Sequence, residues 1–175
     1  MGSREALDQI IGMLFREDCE FKMHDGGTQV GIDYPKTIVF VTAEEWRGGT
    51  VIKLSGDVVM CVDLSPENKA GIYFWINQRN AEQGVVKVVL EERVRNPERD
   101  HPHASITTEI ALMSDFTANQ FFWALREVSF QAEALADPVK QIFGGETRAD
   151  VRAEHRERFG PELGDDDSSS EGPFA

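Results

Sequence analysis

The stretch Ser65–Thr117 decides the fold: SPENKAGIYFWINQRNAEQG (65–84), VVKVVLEERV (85–94), RNPERDHPH (95–103) and ASITTEIALMSDFT (104–117). Ser65-Pro66-Glu67 opens a helix, with a capping serine, proline at the first helical position and an acid in the first turn. Ile72, Trp75 and Ile76 share one face of that helix, Arg79 and Glu82 fall on other sides, and Gly84 ends it. An apolar strand, a polar loop from Arg95 to His103 and a second strand follow. Thr117-Ala-Asn-Gln120 then forms a capping box, with Phe116 and Phe121 at the two positions of a hydrophobic staple. Helix, hairpin, helix is a compact α+β plan, and no step in it carries catalytic hardware.

Upstream, Ser3 can cap a helix whose apolar residues Leu7, Ile10, Ile11, Leu14 and Phe15 fall on one face. It should end near Cys19. EFKMHDGGTQVGIDYP then reads as two short extended pieces around Asp25-Gly26-Gly27, a hairpin signal. Ile38 and Phe40, then Val51 and Lys53, alternate with period two, while VVMCV (58–62) is the apolar run of a central strand. Gly56-Asp57 marks a bulge or a turn. Three to five antiparallel strands are therefore expected before Ser65. The fold expected is an antiparallel sheet packed by helices, in the order α-β-β-β-α-β-β-α.

The last helix presents Phe121, Phe122, Leu125, Val128, Ala132 and Leu135 as a broad apolar face. Asp137-Pro138 either kinks it or caps a short following helix that ends at Phe143-Gly144-Gly145. Residues 1–145 are expected to form the domain. Residues 146–175 read as a charged, partly helical segment passing into a disordered acidic tail.

A formal charge of -13 over 175 residues disfavours nucleic acid and anionic lipid, whose phosphates need basic surface. It favours solubility and attraction of neutral or basic partners. The N-terminus has no secretory pattern, and no run approaches the roughly 20 apolar residues of a membrane span. A cytoplasmic protein is expected. Cys19 and Cys61 have no ligand-like spacing and read as small core hydrophobes, with a disulfide between them left open.

The search for chemistry is mostly negative. His101 and His103 flank Pro102, but neither CxxC nor HExxH spacing supports a metal, so neither metal nor cofactor is expected. His24 and His155 are isolated. Glu109 is the one acid flanked by strand residues, and alternation places it with Thr107 on a solvent face. GxSxG, GxxxxGKS and GxGxxG are absent. The aromatics carry more information. Tyr73-Phe74-Trp75 and Phe121-Phe122-Trp123 cannot all point inward, because adjacent helical residues face different directions. Another helix, a twin subunit or a bound peptide could cover what the sheet does not.

The order of elements, the segment Ile76-Asn77-Gln78-Arg79-Asn80 before VVKVVLEE, and the run SITTEIALMSDFTANQFFWALREV resemble the YbjN-like proteins. These are similar in fold to type III secretion chaperones, and actinobacterial relatives are grouped as Tir-chaperone-like domains. The likeness spans roughly Ser3 to Phe143. The charged loop and the acidic tail depart from it. The resemblance implies an α+β sandwich, frequent homodimers, binding of an extended or helical segment of another protein, and no catalytic residue. The function expected is a non-catalytic chaperone- or adaptor-like protein offering an edge strand or exposed aromatics to its partner. Trp46, Tyr73, Trp75 and Trp123 are its contact candidates. The rival is a small-molecule sensor or enzyme with a pocket between helices and sheet, using Glu109 or His103. A third reading has the tail fold back with Phe174 as internal ligand.

Overall fold

The structure, a computed structural model, describes residues 2–82, 84–92 and 103–159. The loop histidine His101 and the tail with Phe174 lie outside these residues. Within them the chain runs α1 (Ser3–Arg16), β1 (Lys22–His24), a one-turn 3-10 helix (Asp25–Gly27), β2 (Gln29–Asp33), β3 (Ile38–Trp46) and β4 (Gly49–Asp63). It continues through α2 (Pro66–Glu82), β5 (Lys87–Glu92), β6 (His103–Met113), α3 (Ala118–Phe143) and α4 (Arg148–Phe159). The six strands form one antiparallel sheet in the order β1-β2-β3-β4-β6-β5. The α+β class expected from the sequence is the class observed. Four strands precede α2 where the simplest order had three, because both extended pieces around Asp25-Gly26-Gly27 pair into the sheet.

Helices α1, α2 and α3 occupy one face of the sheet. Leu7, Ile10 and Leu14 of α1 pack with Val30, Val41, Ile52, Leu54 and Phe121. Ile72 and Ile76 of α2 join Val59, Val88 and Ile106 of the sheet and Leu135 and Val139 of α3. Gly56 lets α3 come close: a Cβ there would meet Val128 Cγ1 at 2.9 Å. Thr108 completes the contact by donating its hydroxyl to the Val128 carbonyl at 3.1 Å.

Local signals held to different degrees. Thr117 caps α3 reciprocally with Gln120, whose side chain accepts the Thr117 N–H at 2.7 Å. Phe116 and Phe121 meet as the staple predicts, with ring centroids 6.0 Å apart. Helix α3 runs unbroken past Pro138 to Phe143. At the other end, Ser3 is no cap: the first intrahelical bond runs from Ala6 N–H to the Gly2 carbonyl, which places Ser3 inside α1. Gly56-Asp57 is no turn either. Strand β4 continues through it and shifts register between Asp57 and Val59 and again before Val62, so the site is a bulge. Cys19 and Cys61 are both free and half-buried.

β4 outruns β3, whose pairing ends at Val39↔Gly56. The exposed edge beyond is met by Glu146, which exchanges two backbone hydrogen bonds of 2.8 Å with Met60. Gly145 makes this approach with φ +92°, and a Cβ there would lie 2.6 Å from the Met60 carbonyl oxygen. Beyond it α4 starts with its own box: Asp150 accepts from the Thr147 N–H at 2.7 Å and returns its own N–H to the Thr147 hydroxyl at 3.3 Å.

Candidate partner-binding surface

The face of the sheet opposite α1–α3 is the candidate site, and strand register builds it. Residues directly opposite in an antiparallel pair share a face, and every second residue returns to it. Val39, Val41, Ile52, Leu54 and Ile110 point to the helices. Their alternates therefore point away: Phe40, Thr42 and Glu44 of β3, Val51, Lys53 and Ser55 of β4, and Glu109, Ala111 and Met113 of β6.

This face has three zones. At the β3–β4 tip, Val51 sits between Glu44 and Met113, and Trp46 follows at the end of β3. Trp46 and Met113 are 55% and 54% exposed, and the Arg47 guanidinium lies 4.7 Å from the Trp46 ring centroid. Two large apolar side chains this open on one sheet face form an apolar patch rather than isolated exposures.

The middle zone is polar. Lys53 Nζ reaches Glu109 Oε1 at 2.7 Å and Glu91 Oε1 at 3.3 Å, so one ammonium serves two carboxylates. Burial pushes the Glu109 carboxyl above its usual range, against the downward pull of Lys53, and the neighbouring Glu91 adds to the rise. Burial works to lower Lys53 as well, yet its two acids outweigh that and raise it. Lys87 stands opposite Glu109 in the register but sends its Nζ to the Asn80 carbonyl at 3.3 Å. A shallow cavity of about 150 Å³ lies here, lined by Gln29, Phe40, Thr42, Glu44, Lys53, Ser55 and Glu91. The His24 ring lies 5.5 Å from that of Phe40, edge-on to it.

The third zone is engaged by α4. Asp33, which shares this face through its pairing with Ile38, accepts from Arg152 at 2.8 Å and from Arg148 at 3.3 Å. Arg152 also donates to the Tyr34 carbonyl at 3.2 Å.

The four aromatics singled out from the sequence do not converge. Trp46 lies on the open face. Tyr73 is half-exposed on α2, its hydroxyl donating to Glu92 at 3.0 Å. Trp75 packs edge-on against Phe143 at 5.9 Å and serves the interior. Trp123 looks out from α3, away from the sheet. Glu109 is on the face that alternation assigns it, but with an ion pair and only 18% of its side chain exposed. Thr107 beside it is fully buried. The Lys53–Glu91–Glu109 group and Met113 escaped sequence reasoning. Each sits at the polar or terminal position of an alternating strand, a visible signal, but which strands lie together depends on register.

Edge strand β5 is engaged from above. The Asn80 side-chain amide donates to the Val88 carbonyl at 2.8 Å and accepts the Val88 N–H at 2.7 Å, as a neighbouring strand would. Among the described residues, no group of three His, Cys, Asp or Glu could hold a metal, and no helix is long and apolar enough to cross a membrane.

This is an α+β architecture in which, among the described residues, α1–α3 cover one face of the sheet and α4 engages part of the other. No family model and no curated protein matches the chain. Among solved structures, it is similar to YbjN from E. coli, described there as a candidate transcription regulator. The TM-score is 0.50 at 15% identity, over 78% of this chain and 94% of YbjN. At that identity the likeness is one of fold: the chain has a YbjN-like fold.

Proposed function

We propose that this chain is a non-catalytic, adaptor- or chaperone-like protein that binds a segment of a partner polypeptide on the open face of its sheet. The observation that carries the reading is the exposed pair Trp46 and Met113 beside Val51, on a face that α1–α3 leave uncovered. A partner side chain laid there would lose apolar surface to water, stabilising the complex by about 25 cal/mol for each Å² buried. The polar middle zone would orient the segment, and the acidic surface would keep the complex soluble. A cytoplasmic setting fits two unpaired thiols.

The cavity on the open face does not itself have the size of a small-molecule site. At about 150 Å³ it is smaller than the about 300–1,000 Å³ of ordinary ligand pockets, and it is shallow. The resemblance to secretion chaperones, including their actinobacterial relatives, supports a protein client. The description of YbjN as a candidate regulator would be met here through protein contacts rather than DNA, given a net charge of -13. A second copy would use the outward aromatics of the helical layer, Phe74, Trp123 and Phe130, leaving the sheet free for the partner.

Affinity capture from the source lysate with the tagged chain tests this, set against a Trp46→Ala, Met113→Ala variant. A protein held by the parent and lost by the variant is the expected result. Equal retention by both would sink the open face as the site. Trp75→Ala is a poor probe, since Trp75 supports Phe143.

A further inference from the structure

We infer that α4 is a releasable latch on the open face, and that it holds a docking position which a partner segment of the same build takes over. That build is one extended residue followed by a helix with two arginines a turn apart. The partner's part in this rests on the reading of the open face as its site. Three observations carry the inference. The connection to α4 bends at Gly144 and Gly145, both at positive φ. Glu146 then joins the β4 edge beyond the end of β3, through its two backbone bonds to Met60. An extended peptide adds to a sheet in the same way.

The second observation is how α4 is seated. Arg148 and Arg152 stand at i and i+4 of the helix and both donate to Asp33, while Arg152 also reaches the Tyr34 carbonyl. All three charged side chains keep about 30% of their surface in solvent. Ion pairs this accessible hold loosely and are screened by salt. The third is Ile38. Register places it beside Asp33 on the open face, where its Cδ1 lies 3.3 Å from the position of a Cβ on Gly31. Yet it is 5% exposed, against 55% for Trp46 at the other end of β3. Release of α4 therefore uncovers Ile38 and lengthens the apolar surface that runs through Phe40 toward Trp46.

The full chain tests this with the latch opened by Arg148→Gln and Arg152→Gln. A soluble paramagnetic agent should relax the Ile38 methyl resonance severalfold faster in that variant than in the parent, and the Val41 methyl on the helical side equally in both. Arg16→Gln with Arg126→Gln, an equal charge change in the helical layer, should leave Ile38 as shielded as in the parent. A labelled synthetic peptide of residues 144–159 is the probe for exchange. It carries four arginines and four acids, so net charge does not draw it to the protein. The opened chain should bind it roughly tenfold more tightly than the parent, whose tethered copy competes at an effective concentration of order millimolar. Adding Asp33→Ala to the opened chain should abolish binding. An Ile38 methyl equally shielded in parent and opened chain would overturn the latch, as would a peptide bound equally by both or by neither. Peptide binding that survives Trp46→Ala with Met113→Ala supports the latch even if those changes lose no partner, so the apolar tip can fail as the partner site while the latch stands.

Discussion

Asn80 illustrates how one side chain can be legible as pattern and opaque as chemistry. In the sequence it closes the Ile76–Asn80 segment that marks the resemblance, with nothing to say what it does. In the fold its amide fills both hydrogen-bonding positions of Val88 at the sheet edge, at 2.7 and 2.8 Å. Asn80→Ala should cost about 1–3 kcal/mol, the usual penalty for leaving part-buried backbone groups unpaired. Urea denaturation measures it, and a change below about 0.3 kcal/mol would show that water substitutes fully. Gly145 is a sterner case. At φ +92° with the Met60 carbonyl 2.6 Å from any Cβ, alanine must move the backbone, and the bridge to Glu146 should open. Loss of slow amide exchange at Met60 and Glu146 in Gly145→Ala would register that; unchanged exchange would refute it.

At the scale of elements, the caps divide what could be read from what could not. The α3 start was legible because its box and staple lie within six consecutive residues. Ser3 misled because serine two residues from the chain end fits either side of a helix boundary, and only the Gly2 carbonyl settles it. Helix α4 has little apolar surface and is fastened by charge. Asp33 takes both Arg148 and Arg152, and Lys140 meets Asp150 at 2.7 Å. Asp33→Ala should therefore raise tryptic cleavage after Arg148 and Arg152 severalfold without changing sheet stability. Resistance equal to the parent would mean that packing, not charge, holds the helix.

Asp150 adds a pH dependence to the same element. Hydrogen bonds from Lys140, then from Thr147, hold its carboxyl down to about 2, against 3.8 in the open chain. A lowered folded value means its contribution is complete above about pH 3.8 and fades as pH falls through 2. The α4 amide resonances should lose protection across that window, and Asp150→Asn should show no such step there.

For the whole molecule, the helical layer disposes of the aromatic excess as helix geometry requires. Phe121 is core, Phe122 half-buried and Trp123 outward, while α2 turns Phe74 outward with 70% exposure. Phe74→Glu and Phe130→Glu should therefore leave the melting temperature within a few degrees, since neither contributes to the core. A drop in molar mass by light scattering in these variants would identify the helical backs as the self-association surface, and an unchanged mass would remove them. The one-sided architecture was legible from the apolar helix faces, whereas the period-two reading of β3 named Ile38 and Phe40 and the pairing turns Val39 and Val41 to the helices instead. The composition of the open face was not, because Lys53, Glu91 and Glu109 come from three strands that only long-range pairing makes neighbours.

The occupied edge at Val88 has a consequence for how such a protein behaves in a crowd. An unguarded border strand is a growing end: each new chain that adds to it presents the next one. Here the position where an incoming strand would first bond is taken by a side chain that has no edge of its own to offer, and the opposite border, β1, spans only Lys22–His24. Asn80 thus acts as a chain stopper in the sense of polymer chemistry, and sets this border against the growth of fibres.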